Sequence, residues 1–165
     1  MSKVFHVKKR NGKLQKIDIN KINMCAQRAC NDLEDVSASE VVLDAHVQLY
    51  EKISTKEIDK ALIMSARSKM DKEPNYSYVA ARLLLGNIHK EVFGSSVDKD
   101  AFDMQYRLSF IRNIKFLVKK GMLNRKLLDF DLKKLSENLI IERDFKFKYL
   151  GLQTLYDRYL YRINE

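Results

Sequence analysis

The spacing of apolar residues predicts a chain built mainly from α-helices, preceded by one short β element. Near the amino terminus, β-type runs flank Asn11 and Gly12, a pair suited to a type I′ turn because both central positions of that turn need positive φ. Residues 4–19 are therefore predicted to form a β-hairpin. From about Asn20 onward the apolar positions follow helical spacing, and the predicted buried face of this first helix contains Ile22, Cys25, Ala26, Ala29, Cys30 and Leu33.

Two serines indicate where the next helices begin. Ser37 is followed by Glu40 and Ser54 by Glu57, which is the spacing of a capping box. The third helix is predicted to end at about Met70. The apolar sets are Val42, Leu43, Val47, Leu49 and Tyr50 for the second helix, and Ile58, Ala61, Leu62 and Ala66 for the third.

The second half of the chain is also predicted to be helical. Pro74 precedes a fourth helix that Gly94 would end, and residues 94–100 read as a turn. A fifth helix should stop near Gly121, and two shorter helices should follow. The apolar sets of the four helices are Tyr78, Ala81, Leu85, Ile88 and Val92; Phe102, Tyr106, Phe110, Ile114 and Leu117; Leu132, Leu135 and Leu139; and Tyr149, Leu152, Tyr156, Tyr159 and Leu160.

Composition narrows the class of protein. With 165 residues, of which 45% are hydrophobic, the chain can bury a core. A formal net charge of +9 favours phosphate-bearing or acidic partners without distinguishing among them. No stretch has the eighteen or so apolar residues that span a bilayer. The side chains of Cys25 and Cys30 diverge by about 140° around one predicted helix, so the two cannot form a disulfide with each other without unwinding it. We therefore expect a soluble, cytoplasmic protein with two reduced thiols and no metal ligands of its own.

Several polar residues have the chemistry of a polyphosphate site. Lys9 and Arg10 lie at the tip of the first strand and are predicted to approach Lys21 at the start of the first helix. Arginine supplies a planar fork of donors and lysine a mobile charge. Thr55 begins the third helix, where backbone N–H groups and the positive end of the helix dipole favour an anion. Asp59, one turn later, is placed to meet a ribose hydroxyl.

Each of these signals alone has a simpler interpretation. A basic turn is usually a solvated hairpin, a serine at a helix start is usually only a cap, and Lys90 on an apolar helix is typical of a surface residue. Neither GxxxxGK[ST] nor GxGxxG occurs in the sequence. The sequence therefore gives no support for a P-loop nucleotide hydrolase or a dinucleotide dehydrogenase.

Taken together and in order, three segments resemble the ATP-cone that begins the large subunit of class I ribonucleotide reductase. The segments are VKKRNGKLQKIDINKI (7–22), ISTKEID (53–59) and PNYSYVAARLLLGNIHKEVFG (74–94). A fourth, ERDFKFKYLGLQTLYDRYL (142–160), is similar to the helices that precede the catalytic barrel. The resemblance implies an ATP-cone over residues 1–94, a four-helix bundle capped by a small β-hairpin or three-stranded sheet. It also implies a helical connector over residues 95–165.

The resemblance also implies an overall-activity site, where ATP with Mg activates the reductase and dATP inhibits it by changing subunit assembly. The implied phosphate ligands are Lys9, Arg10, Thr55 and Lys90. Val7 and Ile22 would flank the base, Lys21 and Ile58 complete the matched set, and Asp59 would help to sense dATP. Two positions differ from the family pattern or are variable in it: Gln15, where a glutamate is expected, and Asp18, on the base side.

The partners implied by the resemblance are the remainder of the alpha subunit, the radical-generating beta subunit, and other alpha cones in a nucleotide-dependent oligomer. The barrel cysteines that carry the radical chemistry have no counterpart in the sequence, so this chain alone is expected not to be an enzyme. Because the chain ends where the barrel should start, we expect a truncated or split-gene amino-terminal piece.

Two alternatives belong to other classes. Transcription regulators of reductase genes also carry an ATP-cone, but they begin with a four-cysteine zinc ribbon that this sequence lacks. A basic helical protein that binds nucleic acid would use the aromatic residues interleaved with cations in residues 146–162. The helical spacing of Tyr149, Leu152, Tyr156 and Tyr159 favours a core instead, so nucleic acid is disfavoured as a partner.

Overall fold

The computed structural model describes residues 5–93 and 101–162. This part of the chain contains a two-stranded sheet, seven α-helices and two short 3₁₀ helices, Arg125–Asp129 and Ile141–Lys146. The mainly α prediction is confirmed. Gly94 and the predicted turn at 94–100 lie outside the described residues. The strands are β1 (His6–Lys8) and β2 (Leu14–Lys16), and the helices are α1 (Ile19–Cys30), α2 (Ala38–His46), α3 (Thr55–Ser68), α4 (Tyr76–Phe93), α5 (Phe102–Lys119), α6 (Leu132–Glu137) and α7 (Tyr149–Arg158).

The predicted hairpin forms, but its turn differs from the predicted type. β1 and β2 are antiparallel, with Val7 opposite Gln15. The Gly12 N–H donates to the Lys9 carbonyl (2.9 Å) and the Lys9 N–H to the Lys13 carbonyl (2.8 Å). Gly12 has a φ of +81°, whereas Asn11 does not take positive φ. The type I′ prediction was therefore wrong, because a three-residue loop with a single left-handed glycine closes this hairpin.

Side chains cap the first three helices. Asp18 precedes α1 and accepts from the Asn20 N–H (3.1 Å). The Ser54–Glu57 capping box of α3 is complete, as predicted. At α2 only half of the predicted box forms: the Ser37 hydroxyl accepts from the Glu40 N–H, but the Ser37 N–H donates to the Tyr76 hydroxyl (3.0 Å). The Glu40 carboxylate is turned toward Lys69 instead, at 3.4 Å.

The predicted buried face of α2 was wrong. Val41 and Ala45 are the residues of α2 that enter the core. Leu43 and Val47, which the spacing favoured, are 69% and 85% exposed. The run Val41-Val42-Leu43 offers two possible apolar stripes, and packing of α2 against α1 and α3 selects the one centred on Val41.

The chain forms two compact units. The first comprises residues 1–87 and 145–165, so α7 belongs with the hairpin and the early helices. Within this unit the Tyr149 N–H donates to the Ser77 hydroxyl (3.2 Å), and Tyr149 and Leu152 are buried. This burial confirms a core role for two members of the α7 aromatic and leucine set, whereas Tyr159 is 69% exposed.

The second unit comprises residues 88–144. Gly121 ends α5 as predicted: its φ is +71°, its N–H donates to the Val118 carbonyl (3.0 Å), and the Met122 N–H donates to the Leu117 carbonyl (2.9 Å). These two bonds are those of a Schellman motif. An aromatic cluster packs where α4 ends and α5 begins, and its members are His89, Phe93, Phe102 and Tyr106.

The helices in residues 5–93 and 101–162 were compared with the requirements of a membrane span. None of them combines the length and the apolar character that such a span needs. Residues 94 and 95, where the sequence predicts a domain boundary, are outside the described ranges, so that boundary stays a prediction. Neither Cys25 nor Cys30 is in a disulfide, and both are half-buried. Burial raises the pKa of Cys30, and the Arg82 charge opposes this shift.

Candidate functional site

Backbone hydrogen bonds anchor the hairpin to the segment that leads into α3. The Lys52 N–H donates to the His6 carbonyl and the Lys8 N–H to the Ile53 carbonyl, both at 2.9 Å. Lys8 and Ser54 form an isolated parallel bridge. The chain just before α3 therefore runs alongside β1, although the described residues there form an isolated bridge and not a third strand. As a result, the first turn of α3 begins beside the end of β1.

Arg10 connects the hairpin loop to two helices. One of its terminal guanidinium nitrogens lies 3.4 Å from the Asp59 carboxylate on α3 and donates to the side-chain carbonyl of Asn87 on α4. The Arg10 and Asp59 side chains are 24% and 12% exposed. Water therefore screens this ion pair only in part. Arg10 has a fixed position relative to α3 and α4.

The beginning of α3 presents backbone donors. The Glu57 N–H donates to the Ser54 hydroxyl (3.1 Å), and the Glu57 carboxylate accepts from the Ser54 N–H (2.9 Å). The N–H groups of Thr55 and Lys56, in the first turn, have no partner within the helix because of helix geometry. An anion placed at this end would find these donors together with the positive end of the helix dipole.

Glu57 itself is strongly acidic. Hydrogen bonds from the Ser54 hydroxyl and backbone, and then from the Tyr50 hydroxyl (2.7 Å), lower the pKa of Glu57 to about 2. The same hydrogen bond raises the pKa of Tyr50. Because the folded-state pKa of Glu57 lies below its ordinary value, this carboxylate stabilises the fold fully above that value. The stabilisation is lost as the pH falls toward 2.

We expect Glu57→Gln to reduce the free energy of unfolding at neutral pH, because a neutral amide accepts hydrogen bonds less strongly than a carboxylate. The variant should also lose part of the decline in stability that the parent shows between pH 4.5 and about 2. Urea unfolding followed by circular dichroism across this range measures both effects. Glu34→Gln, at an exposed position between α1 and α2, is the control. An unchanged pH profile for Glu57→Gln would contradict the assignment.

The other predicted site residues differ in burial. Val7 and Ile58 are buried, at 4% and 7% exposure, and Ile22 is half-buried. Lys9 is half-buried next to Arg10. Lys90 lies in the last turn of α4, three residues after Asn87 and therefore on the same helix face.

Gln15 and Asp18 line a shallow surface depression formed by residues 15–20. Asp18 caps α1, and its carboxylate lies 4.0 Å from the Lys21 ammonium group. The Lys21 side chain is 67% exposed, so water screens this pair and the contact is weak. The structure brings Arg10 and Asp59 into direct contact, and it places Lys21 beside Asp18.

Asn87 was not among the predicted site residues, although it contacts the central cation of the site. The one signal for it in the sequence is its position as an uncharged polar residue after the run Leu83-Leu84-Leu85, at helical spacing from Lys90. Arg10 and Asn87 are 77 residues apart in the sequence. No local pattern predicts a contact across that separation.

The donor set fits a nucleoside polyphosphate. A guanidinium, lysine ammonium groups and helix N-terminal N–H groups are donors that phosphate oxygens accept, and the Asp59 carboxylate is an acceptor for a sugar hydroxyl. Within residues 5–93 and 101–162, no group of three or more His, Cys, Asp or Glu is arranged to hold a metal ion.

Comparisons with known proteins found a family model and several relatives that match this chain. A family model described as the ATP cone domain matches residues 5–91. The chain is 40% identical over 157 residues to the ribonucleoside-diphosphate reductase subunit alpha of Helicobacter pylori (strain 26695), covering 93% of this chain and 19% of that protein. It is 36% identical over 132 residues to the subunit of the same name from Chlamydia pneumoniae, covering 79% of this chain and 12% of the relative.

A third relative matches nearly the whole chain at lower identity. Ribonucleoside-diphosphate reductase 1 subunit alpha of Salmonella typhimurium is 27% identical over 165 residues, covering 97% of this chain and 20% of that protein. The chain thus spans a fifth or less of the length of these relatives.

Proposed function

We propose, from the premise that this chain belongs to the ATP cone domain family, that it binds ATP or dATP with magnesium as an allosteric effector. The protein it would regulate is a ribonucleoside-diphosphate reductase, a name that the relatives with 36–40% identity carry. The single observation that supports the proposal most strongly is the position of Arg10. This cation is held against α3 and α4 within the matched residues.

In this proposal each side chain has a definite task. Arg10 and Lys9 bind the phosphates together with the N–H groups at the start of α3, and Lys90 contributes a further charge from α4. Val7, Ile22 and Ile58 provide apolar surface for the base, with Gln15, Asp18 and Lys21 at its edge. Asp59 accepts from a ribose hydroxyl, and magnesium is held by the phosphates.

The regulatory step requires a difference between nucleotides. A ligand shifts a conformational equilibrium only by its differential affinity for the two states. ATP has a 2′ hydroxyl that dATP lacks. In this proposal the Asp59 carboxylate, which contacts Arg10, accepts a hydrogen bond from that hydroxyl. Allosteric coupling energies are commonly about 1–3 kcal/mol, which is within the range of one charge-assisted hydrogen bond.

The proposed partners follow from the reductase assignment. They are the remainder of an alpha subunit, a beta subunit that generates the radical, and other cones in a nucleotide-dependent oligomer. The reductase chemistry would lie in the rest of the alpha subunit, so the proposed role of this chain is regulation of deoxyribonucleotide synthesis in the cytoplasm.

We expect ATP and dATP with magnesium to raise the unfolding temperature, whereas GTP should do so weakly. A ligand at one hundred times its dissociation constant stabilises the native state by about 2.7 kcal/mol. Differential scanning fluorimetry with the three nucleotides, followed by calorimetric titration, tests this expectation. Salt-dependent retention on DNA together with no response to any nucleotide would overturn the proposal and favour a nucleic-acid-binding protein.

A further inference from the structure

The outer face of α5 has an apolar half and a basic half. Met104 and Leu108 lie in the first turns of the helix and are 62% and 54% exposed. Arg112, Lys115 and Lys119 continue the same face toward the end of the helix, because the five positions recur at helical spacing. These three cations are also exposed. The exposed side chains of α5 therefore change from apolar to basic along the helix.

The stretch 104–128 carries most of the positive charge of the chain. It contains seven Lys and Arg and no Asp or Glu, which accounts for +7 of the formal net charge of +9. Cations in the last turn of a helix offset its dipole, but Lys115 precedes that turn, and Arg125 and Lys126 lie beyond the helix. These three cations form no ion pair with another residue in the described part of the chain. The short 3₁₀ helix that begins at Arg125 packs against α5.

α2 and the loop before it present the opposite charge together with apolar side chains. The stretch 29–51 contains six Asp and Glu and no Lys or Arg. Glu40, Leu43, Asp44 and Val47 share the outer face of α2, because they recur at helical spacing and Val47 keeps helical backbone angles. Leu43 and Val47 are the strongly exposed apolar residues of this face.

Two lysines reduce the negative charge of this surface without cancelling it. The Lys69 ammonium lies 2.8 Å from the Asp44 carboxylate and 3.4 Å from that of Glu40, and Lys72 lines a surface depression with Glu40. Three further carboxylates in the loop before α2 are exposed and form no ion pair with a described residue: Asp32, Glu34 and Asp35. Five carboxylates and two ammonium groups leave this surface with a net charge of −3.

We propose that α5 of one copy of this chain binds α2 and its preceding loop on a second copy, with the two helices antiparallel. Along α5 the exposed side chains change from apolar to basic toward the carboxyl terminus. Along α2 and its loop they change from apolar to acidic toward the amino terminus. An antiparallel arrangement therefore places the two apolar pairs side by side and the basic half of α5 beside the carboxylates. No nucleotide takes part, so the inference goes beyond the proposed function and does not depend on it.

The apolar half of the α5 face favours a second copy over a polyanion. A phosphate backbone supplies charge but no apolar surface for Met104 and Leu108. A helix that lies on an anionic membrane has its apolar and basic residues on two faces that run the length of the helix, whereas on α5 they occupy successive turns of one face. A second copy offers both kinds of surface, in the matching order.

The contact is expected to be weak and sensitive to salt. The face from Met104 to Lys119 is about 22 Å long at 1.5 Å per residue, and one helix-to-helix contact of this length is at the low end of interface sizes. Opposite charges set its register and its rate of formation. In analytical ultracentrifugation the average mass should rise with protein concentration at low salt. It should return to that of the monomer at about 1 M salt, where the Debye length is about 3 Å.

Two charge-reversed variants test the pairing of the two faces. The first combines Lys115→Glu with Lys119→Glu. The second combines Glu34→Lys with Asp35→Asn, because asparagine tolerates the left-handed backbone of Asp35 (φ +57°). Each variant alone should associate at least tenfold more weakly than the parent, since like charges then meet in the contact.

A mixture of the two variants should associate again. The acidic α5 of the first variant meets the basic loop of the second, and the other two faces are those of the parent. Lys56→Glu with Lys60→Glu is the matched control, because these exposed lysines have the same spacing on α3. This control should associate as the parent does. Thermal unfolding of each variant shows whether the fold is retained.

The two variants change the net charge in opposite directions, so a loss of association in both cannot come from net charge. A parent that stays monomeric at every concentration at low salt overturns the inference. A first variant that associates like the parent, or a mixture that associates no better than its components, also overturns it. If the parent stays monomeric and Lys115→Glu with Lys119→Glu abolishes its retention on a DNA duplex or an anionic vesicle, the basic half binds a polyanion and the inference is wrong.

Discussion

Replacing Arg10 with alanine is expected to lower affinity for ATP and dATP by roughly 10- to 100-fold, because hydrogen bonds to charged groups contribute about 1.5–3 kcal/mol each. The change also deprives Asp59, a side chain only 12% exposed, of its guanidinium partner. The free protein should therefore also lose stability, because an ion pair whose two side chains are less than one quarter exposed is removed. Calorimetric titration and urea unfolding measure the two effects separately.

Lys13→Ala is the matched control for this prediction. Lys13 lies in the same hairpin and is exposed. Its replacement by alanine removes the same unit of positive charge as Arg10→Ala. If Lys13→Ala weakened nucleotide binding as much as Arg10→Ala, the site would be a diffuse basic surface and not a specific one. Arg10→Lys should fall between the parent and Arg10→Ala, since it keeps the charge but loses the planar fork of donors.

The sequence predicted the elements of the site better than their contacts. Ser54 and Glu57 are three residues apart, so their capping box is a local property of the chain and forms as predicted. Gly121 likewise ends α5 through bonds to residues within the previous turn. Local signals of this kind need no knowledge of tertiary structure.

Features that depend on distant packing were predicted poorly. The buried stripe of α2 is selected by its neighbours, and so Val41 is buried where Leu43 was expected. The hairpin turn follows from the strand register, which leaves a three-residue loop in place of the expected two-residue turn. Arg10 meets Asp59 and Asn87 across 49 and 77 residues, respectively. Charge and spacing identified Arg10 and Asp59 separately, but only the fold places them in one cluster with Asn87.

That cluster makes Asp59→Asn the most informative test of nucleotide discrimination. We expect this variant to bind dATP with nearly unchanged affinity, because an amide at position 59 can still accept a hydrogen bond from Arg10. The preference between ATP and dATP should shrink by about 5-fold or more, the lower end of common allosteric coupling. A neutral amide accepts from the 2′ hydroxyl more weakly than a carboxylate does, so ATP loses a contact that dATP never made.

Parallel calorimetric titrations of ATP and dATP on the parent protein and the variant measure this ratio directly. Asp71→Asn, an exposed position just beyond α3, controls for the loss of one negative charge. If Asp59→Asn weakened both nucleotides equally, Asp59 would serve only to hold Arg10, and the discrimination would have to arise elsewhere. If ATP alone loses affinity, the same carboxylate both orients the cation that binds phosphate and recognises the sugar. Phosphate binding and sugar discrimination would then depend on one ion pair between the hairpin and α3.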